Sequence, residues 1–149
     1  MLGRAVPLAL LAAVALPLGA CGEDSLTAAQ LHDRATAICA RAAAATDRIA
    51  VPSEPSQGAR FLREGLAELR PAVAALRALE APSQLRERYD RAVQLAGREV
   101  ALIAGHEREI ARGDDAIDVY RRLEAALEPL VMQENAYWQG LQLEACVRR

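Results

Sequence analysis

The chain has 149 residues and a formal charge of −2, with 33 alanines, 18 arginines, no lysine and only five aromatic side chains. That length bounds one domain, and the charge balance excludes a strongly basic nucleic-acid binder. Scarce β-branched and aromatic runs argue against a sandwich or barrel, and no glycine-rich strand-to-helix turn announces a nucleotide fold. Alanine makes helix the default, because it loses no side-chain entropy there while burying little area.

Met1 to Arg4 carries one positive charge, and Ala5 to Leu18 is an apolar stretch of fourteen residues. A bilayer needs roughly 20 helical residues, so the stretch has the length of a signal-peptide core rather than a membrane span. Leu18-Gly19-Ala20-Cys21 closes it. An ordinary signal-peptidase site wants a small side chain where Leu18 stands, and the run resembles instead the bacterial lipobox, in which a diacylglycerol joins the cysteine sulfur before cleavage in front of it. The resemblance implies that residues 1–20 are a lipoprotein signal peptide, that Cys21 carries a covalent diacylglycerol, that 21–27 form the tether and that 28–149 form the domain. It places the protein outside the cytoplasm at the cell membrane, with plain secretion as the alternative. The five residues from Gly22 to Leu26 reach at most about 18 Å, so an envelope protein or polymer partner is expected close to the membrane.

Without the leader, 129 residues remain with a charge of −3, and only 28 of them are Leu, Ile, Val or Phe. That share is barely above the ~20% below which chains tend to disorder, so a covalent staple is expected to support the core. With Cys21 lipidated, Cys39 and Cys146 form an even pair, and an oxidising location makes their disulfide the leading expectation over a metal pair or two free thiols.

Thr27 and Gln30 have capping-box spacing, with Leu26 and Leu31 placed to staple around it. Behind them Leu31, Ala35, Ile38, Ala42, Ala45 and Ile49 make a narrow helical seam, which Pro52 and Pro55 end. A second helix follows with Leu62, Leu66, Leu69, Val73 and Leu76. Pro71 interrupts it, and because the seam continues in register a kink is expected there rather than a stop. Ala81-Pro82-Ser83 turns into a third helix, with Ser83 as the expected N-cap, running to about Arg112 with Leu85, Tyr89, Ala92 or Val93, Ala96, Val100, Ile103 and Ile110 inward. Gly113 then reads as a C-cap and Asp114-Asp115 as a new N-cap. The fourth helix carries Ala116, Tyr120, Leu123, Leu127, Leu130, Tyr137 and Leu141 inward, with a second kink expected at Pro129. Short connections predict an all-α, antiparallel up-down four-helix bundle. In that topology helices one and four are neighbours, and levelling Cys39 with Cys146 puts residue 50 near residue 135.

The search for chemistry returns little. The residues three before His32 and His106 are Ala29 and Ile103, so the Glu-x-x-His pairs of a di-iron bundle are missing, as are zinc-type spacings; no metal is expected. His106 with Met132 is a remote haem pair. Ser25, Ser53, Ser56 and Ser83 fall where caps and turns use them, without a hydrolase elbow. Arg60 with Glu64 and Glu87 with Arg91 have the spacing of surface ion pairs, although paired carboxylates in a cleft stay open from sequence. Arginines recur every seven residues at 34, 41 and 48, at 63, 70 and 77, and at 91, 98 and 112. Such stripes cover a heptad seam and meet acids in solvent, or else touch anionic lipid or cell-wall polymer. Tyr137-Trp138 near Gly140 reads as a core plug that lets helices approach closely. Tyr137, Trp138 and His106 are the alternative ligand or partner surface.

Three stretches, Ala35-Thr36-Ala37-Ile38-Cys39, Leu79-Glu80-Ala81-Pro82 and Gly140-Leu141-Gln142-Leu143-Glu144-Ala145-Cys146, resemble those of a group of uncharacterised exported helical proteins of actinobacteria. The last is one residue longer than the Gly-Leu-x-x-x-Cys form. The resemblance implies a disulfide-linked bundle and no known activity. The expected function is therefore a membrane-anchored, non-enzymatic envelope module without cofactor beyond its lipid, or alternatively a small-ligand or metal-binding bundle.

Overall fold

The structure, a computed structural model, describes residues 25–148. The leader, Cys21 and most of the tether lie outside the described residues. Four helices account for the fold: α1 Ala28–Thr46, α2 Gly58–Arg77, α3 Ser83–Ala111 and α4 Ala116–Gly140, with 3-10 turns at Pro55–Gln57 and Glu144–Cys146. No described helix is long and apolar enough to cross a membrane.

Local signals set the starts and stops. The Thr27 hydroxyl accepts from the Gln30 amide at 3.2 Å while the Gln30 side chain accepts from the Thr27 amide at 2.9 Å, so the capping box forms. Asp115 caps α4 by accepting from the Asp118 amide at 3.0 Å. Gly113 has φ +102° at the α3–α4 corner, a backbone state that glycine adopts without a side-chain clash. Ser83 is the first residue of α3 rather than its cap; Pro82, in extended backbone, holds the cap position. The helix α1 ends at Thr46, short of the prolines, where the Thr46 hydroxyl donates back to the Ala42 and Ala43 carbonyls. Pro71 and Pro129 both lie inside continuous helices, each removing one backbone donor without ending the helix.

Consecutive helices run antiparallel. Arg63 at the start of α2 pairs with Glu107 near the end of α3 at 2.9 Å, and Glu109 pairs with Arg122 on α4 at 2.6 Å. The central helix α3 packs against both α2 and α4, while α1 packs on α2. Two apolar clusters form the core. One gathers Leu31, Ala35, Ile38, Leu76, Tyr89, Trp138, Leu143 and Cys146. The other gathers Leu62, Leu66, Leu69, Ile103 and Leu123.

The expected seating of helix one against helix four is not what closes the bundle. Helix α4 stops at Gly140, six residues before Cys146, and the chain reverses through Gln142 at φ +58°, with the Leu143 amide donating to the Trp138 carbonyl at 2.9 Å. The returning segment then packs between α1 and α4. Cys146 on its 3-10 turn bonds Cys39 of α1, with Cα atoms 5.0 Å apart. The disulfide forms as expected, but through a turned-back strap of chain, and the second half of α1 is held off α4.

Candidate functional site

Two carboxylates occupy core positions where their helices would otherwise place apolar side chains. Glu99 continues the α3 seam of Ala92, Ala96 and Ile103, and Glu134 falls midway between Leu130 and Trp138 on α4. Their exposures are 3% and 2%. A charge at such depth needs partners, because an unpaired carboxylate in low dielectric is strongly destabilising. Each has one. The Trp138 indole Nε1 donates to Glu134 Oε1 at 2.8 Å, and Arg148 Nη1 lies 3.3 Å from Glu99 Oε1. The remaining Oε2 atom of each carboxylate is buried without a donor.

Those two orphan oxygens explain each other. Burial holds the Glu134 carboxyl up at about 7, the Trp138 bond pulls it down, and the neighbouring Glu99 carboxylate pushes it up again, with Arg148 acting in the lowering direction. One proton held by the pair removes one of the two buried charges and gives it the donor it lacks.

The turned-back strap supplies Arg148. Asn135 on α4 holds it at both ends of its amide, donating to the Arg148 carbonyl and accepting from the Arg148 amide, each at 2.8 Å. Trp138 is fixed in turn by an edge-to-face contact with Tyr89, ring centroids 6.0 Å apart. Tyr89 donates to the Leu76 carbonyl at 2.8 Å, and burial raises its phenol above the usual range.

Glu134 and Trp138 also form part of the wall of a cleft of about 530 Å³ between α1, α2 and α4. Cys39, Ala42 and Ala43 bound it on α1, with Leu69, Val73 and Leu76 on α2, and residues 144–148 close one side. This space is where the held-off half of α1 fails to meet α4.

Compared with protein-family models, curated proteins and solved structures, the chain matches none. Function is therefore argued from these residues alone.

The structure separates the residues that sequence grouped. Trp138 is buried at the carboxylate pair, while Tyr137 is half-buried against the edge of the same apolar cluster and lines a shallow charged depression with Arg88 and Arg91. His106 lies seventeen residues beyond Tyr89 on α3, about 25 Å along the helix, and its Nδ1 sits 2.9 Å from the Leu102 carbonyl oxygen. The three do not form one surface, and Met132 is exposed on α4. Gly140 brings no helices together; a side chain there would meet only Arg88, whose guanidinium donates to the Gly140 carbonyl at 3.1 Å. Of the arginine stripes, all but half-buried Arg91 are exposed. Arg60 reaches Glu64 at 4.0 Å, whereas Arg91 bonds Gln94 instead of Glu87. Among the described residues no group of three or more His, Cys, Asp or Glu side chains is arranged to hold a metal ion.

Sequence reasoning missed Glu99 and Glu134. The signal was a gap: the α4 seam steps from Leu130 straight to Tyr137, and the position that keeps the four-three rhythm is Glu134.

Proposed function

We propose that this chain is a lipoprotein of the cell envelope, anchored through a diacylglycerol on Cys21 and carrying a non-enzymatic helical module. The single observation behind the anchor is Leu18-Gly19-Ala20-Cys21 directly after an apolar leader. The Cys39–Cys146 disulfide supports an oxidising location. The module reads as a binder rather than a catalyst, because its buried carboxylates are engaged with Trp138 and Arg148 rather than set to activate a nucleophile. A second reading, a bundle that holds a small ligand, is favoured by the cleft beside Glu134.

Labelled palmitate fed to cells expressing the chain tests the anchor. Label is expected on the wild type and absent from Cys21→Ala, with the wild type in the membrane fraction. Unlabelled wild-type protein recovered from the medium refutes it.

A further inference from the structure

The carboxylate pair leaves the site one positive charge short. With both carboxyls ionised, Arg148 balances one and the other is bare, and a buried carboxylate oxygen without a donor is costly. Among the described residues no second cation pairs with these carboxylates, so a proton supplies the missing charge. The cleft offers another route, since Glu134 is 2% exposed, has an unpartnered oxygen and lines the space directly. Alanines of α1, Leu69, Val73 and Leu76 of α2 and the disulfide give it apolar walls, and Thr46, Asp47, Glu134, Glu144 and Arg148 line the rest. Small-molecule sites are typically about 300–1,000 Å³, and the cleft at about 530 Å³ falls in that range, with acidic groups beside its apolar walls.

We propose that the cleft binds a small organic monocation, an ammonium on an apolar body, whose N–H donates to Glu134 in place of the shared proton. The apolar walls take the body of the ligand, and one charge is what the three ionised groups lack. Trp138 holds Glu134 Oε1, which leaves Oε2 for the incoming donor. Arg148, tied down by Asn135, keeps Glu99 neutralised while the ligand serves Glu134. This deepens the second reading above and is independent of the anchor, so palmitate labelling and amine binding fail separately.

The test uses the full chain in phosphatidylcholine vesicles at pH 8, read by the emission of Trp138, the single tryptophan. The probes are 4-phenylbutylamine, the neutral 4-phenylbutan-1-ol and calcium chloride, with protein-free vesicles subtracted. The amine is expected to give a saturable change at a Kd at least tenfold below that of the alcohol, weakening as pH falls from 8 to 5 because protons compete for Glu134. Glu134→Gln keeps the hydrogen bond to Trp138, and its melting transition confirms that it folds; it is expected to bind amine and alcohol equally. No response to the amine, equal binding of amine and alcohol by the wild type, an amine preference kept by Glu134→Gln, or an equal response to calcium each overturns the proposal.

Discussion

Replacing Glu134 with Gln isolates the energetics of the buried acid. Glu134 titrates at about 7 in the fold against an ordinary 4.5, and one pH unit corresponds to about 1.4 kcal/mol. For an acid raised in this way the folded state holds its proton more tightly than the unfolded chain. Its contribution is complete below about pH 4.5 and is lost as pH rises through 7, to a ceiling of about 3 kcal/mol. Glutamine stays neutral at every pH, accepts from Trp138 through its carbonyl and donates to Glu99 through its amide, so it imitates the protonated acid. Wild type and Glu134→Gln should therefore melt together near pH 4.5 and diverge above it, the variant becoming more stable by 1–3 kcal/mol, or about 4–10 °C in Tm, at pH 8. Thermal unfolding followed by circular dichroism across pH 4.5–8 measures the difference, and the carboxylates away from the Glu99–Glu134 pair cancel between the two proteins. Parallel curves, or a variant less stable than wild type at pH 8, would refute the shared-proton arrangement.

Other substitutions probe what surrounds it. Arg148→Met leaves Glu99 buried without its counter-charge; because the arginine is partly exposed, a loss of about 1–2 kcal/mol is expected at pH 8 by chemical denaturation. Gln142→Gly relieves a left-handed backbone position and should raise stability by about 0.5–1 kcal/mol, a gain that vanishes if the chain reversal is not built as described. Replacing Cys39 and Cys146 together by alanine opens a link across 107 residues and should remove about 2–5 kcal/mol, with faster amide exchange in residues 143–148 as its local signature. Unchanged exchange there would mean that packing alone seats the strap.

The helices were legible because each is announced by local chemistry: the Thr27 box, the Asp115 cap, Gly113 at the corner and four seams in four-three rhythm. The disulfide was legible from cysteine number and the implied compartment. Its route was not, since the left-handed position after α4 falls on Gln142 rather than on Gly140, and tertiary contacts such as the Leu143 bond to Trp138 must enforce it. Leu95, fully buried, escaped the narrow seam because α3 packs on two sides and needs a wider apolar face, and Val119, fully buried on α4, lies one residue before Tyr120, the position its seam used. The carboxylate pair escaped for a related reason: glutamate on a helix is normally a solvated residue, and only its place in the rhythm marks Glu134 as inward.

A domain with so few large apolar side chains does not close its four helices by packing alone. Alanine along the second half of α1 leaves too little volume to fill the space towards α4, and the chain answers with a strap rather than a core. That strap supplies three attachments of different kinds: Leu143 is buried in the apolar cluster around Tyr89 and Trp138, Cys146 is bonded to α1, and Arg148 is paired with Glu99. The last of these gives the α3 carboxylate a counter-charge, and the carboxylate pair then sits between the two apolar clusters at the edge of the unfilled space. Shortage of apolar volume therefore produces both the cleft and the charge imbalance beside it, and the protonation of Glu134, the seating of the strap and the occupancy of the cleft become linked equilibria. Because seated Arg148 lowers the Glu134 pKa, a proton or an ammonium on Glu134 should by the same coupling loosen the strap that carries Arg148.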